Sequence, residues 1–309
     1  MSSSTALAAR LPPSRTPPLI LACLAATWVI WGSTYLAIKW ALVSFPPFYQ
    51  MGTRFLVAGA LLAAWLRWRG TRWPDRREWI NATLLGTLML GVAYGLTAVA
   101  EQTVSSGLVV AFIAIGPALQ AAMELPYGVR PTRREATGIA VGLVGVLGLA
   151  AGQGFAASPL GLTSVLVASV AWKLGSVWST RGLPRALGGR SLELAPGAMG
   201  FASQMLAGGG VLMVVSTLFG ERPGWPLDPL ALASWIYLVL AGSLVAFSAF
   251  MVLLQRTPTA VSSSYAYVNP LIGLLLGVIL GGETLNLGEW LAAALVTASV
   301  MLMLGGRSK

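Results

Sequence analysis

Ten stretches of apolar residues, each about 20 long, run through the chain with only short polar intervals between them. They lie near residues 18–38, 47–66, 80–100, 103–124, 135–152, 159–180, 196–219, 230–254, 258–281 and 287–305. A helix needs roughly 20 apolar residues to cross the hydrocarbon of a bilayer. A helix also satisfies its own backbone hydrogen bonds, which lipid cannot do for it. The pattern therefore predicts an all-α polytopic membrane protein with ten transmembrane helices. Composition agrees: 10% of the 309 residues are charged and 56% are hydrophobic, with a mean hydropathy of +0.76. A soluble domain carries about 25% charged residues. No interval is long enough for a separate soluble domain, and residues 1–17 read as a Ser/Pro/Arg-rich tail. The first apolar stretch is too long for a cleaved signal and has no small-residue cleavage pattern before Trp28, so it is expected to stay.

The cations give the helices a direction, because Lys and Arg are retained on the cytoplasmic side. Of 20 such residues, 16 fall in the tail, in alternate intervals and at the end of the chain, from Arg10 and Arg15 to Arg307 and Lys309. The densest group is Arg67, Arg69, Arg72, Arg76 and Arg77, between helices 2 and 3. The opposite intervals hold only Lys39 and Arg222, and Arg54 and Lys173 fall inside helices. Both termini are thus expected in the cytoplasm. The net charge of +10 follows from this topology and from contact with anionic membrane lipid, not from nucleic acid, since no aqueous domain presents a basic run.

An internal duplication is visible. A shift of 153 residues places Gln102 on Gln255, Ser106 on Thr259 and Pro117 on Pro270. One further gap places Gly128 on Gly282 and Glu135 on Glu289, and Gly32-Ser33-Thr34-Tyr35 resembles Gly175-Ser176-Val177-Trp178. The expected repeats are residues 18–152 and 159–305. Each half has five helices, an odd number, so the second must enter the membrane in the opposite sense. Two inverted five-helix repeats create a pseudo-twofold axis in the membrane plane, with a site where they meet.

Several chemistries are excluded. Histidine is absent, Cys23 is the sole cysteine, and Asp occurs only as Asp75 and Asp228. No intrachain disulfide, His/Cys metal cluster or His-dependent triad can be assembled. Gly188-Gly189-Arg190-Ser191 lacks the Lys and the earlier Gly of a nucleotide loop. No cofactor or metal is expected, and the spanning segments offer no enzymatic set of nucleophile, base or paired acids. A pore remains an alternative to a carrier. Proton-driven carriers place an acid or His in the pathway, whereas Glu101, Glu124 and Glu283 sit at helix ends, where an interfacial cap or headgroup contact accounts for them. Facilitated diffusion is the simplest mechanism, with proton exchange through Glu101 or Glu124 as the alternative.

A cation in hydrocarbon usually faces a cavity or a partner, which singles out Arg54 and Lys173. Arg54 lies near a helix start and could instead reach the interface by snorkelling. Trp28, Trp31 and Tyr35 share one face of helix 1. Tyr94 lies mid-helix 3, Trp172 and Trp178 on helix 6, and Tyr265 and Tyr267 on helix 9. An interface belt explains Trp65, Trp68, Trp79, Trp225, Trp235 and Trp290 better than these mid-depth rings. The expected cavity lining is Trp31, Tyr35, Tyr94, Trp172, Tyr265 and Asn269, with Lys173 and Arg54 as candidate carboxylate contacts; for each alone, helix packing serves as well. Tyr and Trp combine a flat apolar face with one hydrogen-bonding group, which suits an amino acid with an apolar or aromatic side chain. Pro117 and Pro270 are candidate hinges, since an interior proline removes a backbone bond and kinks a helix. Gly138, Gly142, Gly145 and Gly148 permit close helix contact within one chain or between two, leaving monomer and homodimer both open.

Particular residues resemble a known family. Trp31-Gly32-Ser33-Thr34-Tyr35 with Lys39, then Pro46-Pro47 and Arg54-Phe55, look like the first repeat of EamA-type members of the drug/metabolite transporter superfamily. The prolines of helices 4 and 9 and Gly281-Gly282-Glu283 look like its second signature. The resemblance covers nearly the whole chain. It implies a bacterial inner-membrane carrier that exports amino acids or similar small metabolites by alternating access, and the Trp- and Tyr-rich helices look most like the aromatic amino-acid exporter branch, the YddG type. One departure is Ala171-Trp172-Lys173 in helix 6, where many relatives would carry a small apolar residue after the Trp.

Overall fold

In this structure, a computed structural model, residues 18–113, 115–151, 158–257, 265–282 and 284–304 are described. The expected tail at 1–17, the start of helix 9 at 258–264, Glu283 and the chain end from 305 lie outside them, as do the side chains of Pro117, Tyr267 and Pro270. The described residues form ten helices, two short 3-10 turns (Leu125–Tyr127 and Arg185–Leu187) and no strand. The helices are α1 (Pro18–Ala41), α2 (Pro47–Trp68), α3 (Arg76–Ala100), α4 in two pieces (Ser106–Ile113 and Gly116–Glu124) and α5 (Arg133–Ala151). Next come α6 (Pro159–Arg181), α7 (Ala198–Leu218), α8 (Pro229–Tyr237, Leu238–Val245 and Ala246–Arg256 in one run), α9 (Tyr265–Ile279) and α10 (Leu287–Leu304).

Five of these, α1, α3, α6, α7 and α8, are long and apolar enough to cross a bilayer. The other five are not, among the described residues, where α5 and α10 offer the shorter apolar stretches Ala136–Gly145 and Leu287–Ser299. Helix α2 carries Gln50, Thr53 and Arg54 in its interior, α4 is divided, and α9 is described only from Tyr265. Leu21, Val29, Leu61, Leu160, Val214 and Leu275 are among the large apolar side chains exposed on the outside, a surface suited to lipid and not to water.

Sequence chemistry sets the helix ends. Pro47, Pro159 and Pro229 sit in first turns, where the missing N–H costs nothing. Asp75 accepts from the Glu78 N–H while Glu78 accepts from the Asp75 N–H, a reciprocal capping box. Asn286 and Glu289 repeat it at α10. The expectation of an unbroken helix 4 kinked by Pro117 is corrected: Pro117 lies in the first turn of the second piece of α4, where proline breaks no bond. Pro270, in contrast, falls inside the helical run of α9.

Helices α3 and α8 each contain a stretch of π-helix, Thr87–Val92 and Leu238–Val245. The Ala93 N–H donates to the Leu88 carbonyl, and the Ala246 N–H to the Ala241 carbonyl. These wide turns end at Val92 and Val245, 153 residues apart, the offset that relates Pro117 to Pro270. The main contacts repeat as well. Helix α1 packs on α8 and α9 as α6 packs on α3 and α4, and α2 packs on α8 as α7 packs on α3. The pairs α2–α7, α4–α9 and α5–α10 map onto themselves. Gly142 and Gly145 face Ser299 and Val296 of α10, and Gly148 faces Ala292, so this small-residue stripe is used inside one chain.

Candidate functional site

Five helices, α1, α3, α4, α6 and α9, meet around a cavity with about 670 Å³ of empty space including its mouth, within the usual range for small-molecule sites. Trp31, Thr34 and Tyr35 come from α1, Tyr94 and Thr97 from α3, Gly116 from α4, Ser169, Trp172 and Lys173 from α6, and Tyr265 and Asn269 from α9. Spacings of three and four put each group on one helix face. Seven of the eight residues singled out in the sequence are thereby brought together. Trp178 is not among the described lining residues, and Tyr267 cannot be placed for want of a described side chain.

The aromatic rings form two matching joints. Trp31 meets Phe247 of α8 at 4.9 Å between ring centres and 68°, and Tyr265 at 4.9 Å and 80°. Trp172 meets Tyr94 of α3 at 5.7 Å and 77°. Such edge-to-face pairs add about 0.5–1.5 kcal/mol to the burial of each ring. Tyr94 and Phe247 are 153 residues apart, so Trp31 and Trp172 are structural counterparts and Gly32 corresponds to Lys173. The sequence match of Gly32 with Gly175 is therefore out of register: Gly175 faces Leu88 and Met89 of α3, whereas Gly32 faces Asn269 and Ile272 of α9. The Trp31 indole N–H donates to the Gly242 carbonyl (3.2 Å), tying α1 to the π stretch of α8.

The two intramembrane cations are placed differently. Lys173 lines the cavity, its stem lying over Gly116, where a Cβ would stand 2.5 Å from Lys173 Cε. Arg54 is not among the lining residues. Its exposure is 0%, so it does not snorkel to the interface, and its Nε donates to Ser243 Oγ of α8 at 2.9 Å. The guanidinium lies 5.3 Å from the Tyr94 ring centre and 5.0 Å from that of Phe55, and Nη2 has no hydrogen-bond partner. Arg54 thus stands behind the cavity wall, between Tyr94 and the π stretch. Of the acids, Glu101 is 3% exposed and lies within electrostatic reach of Tyr35 and Arg54. Glu124 is buried too; it accepts from Gln120 Nε2 (3.2 Å) and lies 3.9 Å from Arg181 of α6. Neither carboxylate is spread on the surface as an interfacial reading would have it. Trp235, assigned to the interface belt, instead donates to Thr53 Oγ1 at 3.1 Å.

Sequence reasoning missed Phe247, Gly242, Ser243 and Gly116. Phe247 had a signal, its 153-residue offset from Tyr94; the π stretch that presents Gly242 and Ser243 had none. A model of the EamA-like transporter family matches residues 16–151 and, again, residues 159–305. The chain belongs to that family. This EamA-like chain is 38% identical over 293 residues to the uncharacterized inner membrane transporter YedA of Escherichia coli strain K12, covering 93% of this chain and 91% of YedA. It is 23% identical over 293 residues to a protein named as a probable amino-acid metabolite efflux pump of Salmonella typhimurium strain LT2, covering 90% and 92%. A crystal structure with 20% sequence identity superposes with a TM-score of 0.63 over 92% of this chain and 95% of the other, a likeness of fold. As a member of a transporter family, the chain is a transporter and not an enzyme.

Proposed function

We propose that this EamA-like protein is a multi-pass exporter in the bacterial inner membrane that moves amino acids, aromatic or otherwise apolar, and similar small metabolites. The observation that carries the reading is the cavity itself: five aromatic rings and one lysine converge where the two repeats meet. Aromatic faces suit an apolar side chain, and a cation shielded from water suits a carboxylate. None of the relatives above is named for aromatic substrates, so the comparison with the aromatic amino-acid exporter branch rests on this chemistry. The names of YedA and of the efflux pump support an inner-membrane location and amino-acid-like cargo.

In this reading the repeats are inverted, both termini are cytoplasmic, and substrate crosses by alternating access. The reciprocal helix contacts and paired π stretches support inversion, and the cation asymmetry supports the orientation. Pro117, at the start of the second piece of α4, and Pro270, inside α9, mark corresponding places where the two helices hinge. The working unit is the single chain in contact with lipid, since the glycine stripe of α5 is taken up by α10.

Facilitated diffusion drives export. Proton exchange is a second reading, favoured by the burial of Glu101 beside the cavity residue Tyr35. Proteoliposomes loaded with a panel of amino acids test both. The expected result is saturable counterflow of labelled aromatic amino acids, unchanged by a pH gradient. A pH-gradient requirement would favour the second reading, and flux that neither saturates nor exchanges would mean a pore and overturn both.

A further inference from the structure

The polar groups of the cavity are unevenly committed. Thr34 Oγ1 donates to the Trp31 carbonyl (2.7 Å), Thr97 Oγ1 to the Ala93 carbonyl (2.8 Å) and Ser169 Oγ to the Val165 carbonyl (2.8 Å), each within its own helix. The Asn269 amide faces the carbonyls of Trp28 and Tyr265; assigned with its nitrogen toward these two acceptors, it donates to both at 3.1 Å. Those donors are spent. Lys173 Nζ, the Trp172 indole N–H and the hydroxyls of Tyr35, Tyr94 and Tyr265 make no hydrogen bond among the described residues. What faces the cavity uncommitted is therefore rich in donors and carries one full positive charge. No carboxylate occurs among the described lining residues. Glu124, the acid within electrostatic reach of Lys173, lies eight residues beyond Gly116 on α4, about 12 Å along the helix, and it is engaged by Gln120 and Arg181.

A donor that a ligand covers and leaves without an acceptor is costly. A ligand that takes the place of water here must therefore bring acceptors, and an aromatic body to fill the ring-walled space. Among the described lining residues an ammonium group meets only neutral oxygens and ring faces; Glu101, beside Tyr35, is not one of them and also lies within reach of Arg54. Resting on the export reading above, we infer that the site selects aromatic monocarboxylates through Lys173, that the α-amino group of an amino acid is dispensable, and that aromatic amines lacking a carboxylate are rejected. Its cargo thus extends from aromatic amino acids to aryl-alkanoic acids and excludes cationic amphiphiles.

Three probes with one ring system separate the contributions: L-tryptophan, indole-3-propionate, which lacks the ammonium, and tryptamine, which lacks the carboxylate. Calorimetric titration of the purified full chain in detergent is expected to give similar affinities for the first two. Tryptamine should bind roughly tenfold or more weakly, the loss of one charge-assisted hydrogen bond. K173M should abolish that gap and K173R should keep it. Tryptamine binding as tightly as indole-3-propionate, a gap that survives K173M, or no binding by any probe would overturn the inference. Should K173M fail to fold, the wild-type order of the three affinities decides alone. Counterflow is read separately. The expected affinity order without exchange would overturn export and leave the site's selectivity standing; tryptophan exchange that tryptamine inhibits as well as indole-3-propionate would do the reverse.

Discussion

The crossing of α1 with α9 and the crossing of α6 with α4 are the same joint built twice and filled in opposite ways. At the first, the small residue is on the leading helix: a Cβ on Gly32 would stand 2.7 Å from Ile272 Cγ2 and 3.5 Å from Asn269 Cα. At the second, the leading helix carries Lys173 and the small residue is Gly116 on its partner. Gly32 holds the place of Lys173 and Asn269 holds the place of Gly116, so the larger group has changed sides while each joint stays close-packed. The difference shows how a duplicated frame acquires a directional site. Two lysines would repel one another across the cavity, and two glycines would leave it without a charge; one of each gives a single cation against one wall.

Variants at the two joints should behave unequally. The largest effect is expected for G32L. Ile272 is β-branched and the α9 backbone lies close behind it, so overpacking should cost about 1–3 kcal/mol, read as earlier thermal unfolding in detergent. G116L meets only the far end of a flexible lysine, which can swing aside. It should unfold within about 1 kcal/mol of the parent yet bind indole-3-propionate roughly tenfold more weakly, because the ammonium is displaced. Equal unfolding losses for the two variants would break the contrast between the joints.

Smaller effects sharpen the same comparison. N269A removes one hydrogen bond from α9 to the Trp28 carbonyl of α1 and one within α9 to the Tyr265 carbonyl, and should cost about 1 kcal/mol of unfolding free energy. At the other joint Gly116 offers no side chain to lose. W31F removes the indole bond to Gly242 and should cost about 0.5–1 kcal/mol more than W172F, since the Trp172 N–H has no acceptor among the described residues. Matching losses in W31F and W172F would show that the Gly242 bond contributes nothing measurable.

Much of the site was legible because its chemistry is written in residue type and helical spacing. Trp31 and Tyr35 share a face by the three-to-four rule, and Lys173 stood out as a charge where hydrocarbon was expected. Arg54 carried the same signal and led elsewhere. Whether a buried cation faces a cavity or props a wall depends on what lies across from it, here Ser243 on a helix far away in the chain. The repeat was visible at Gln102/Gln255 and Pro117/Pro270, but the register of α1 on α6 was two residues out. Gly32 is the one glycine of α1 and Gly175 one of two in α6, so the letters pair them, and only their neighbours, α9 for Gly32 and α3 for Gly175, tell them apart. The break in α4 was hidden because a proline reads alike in a kink and in a first turn.

Partition into lipid, the helical state of the chain and its doubling follow from the letters alone, because they depend on the transfer of apolar surface and on periods along one chain. Which donors remain uncommitted, which cation meets the cavity and where the helices widen into π turns were decided in the folded protein. Each depends on the distance between atoms that the sequence holds many residues apart.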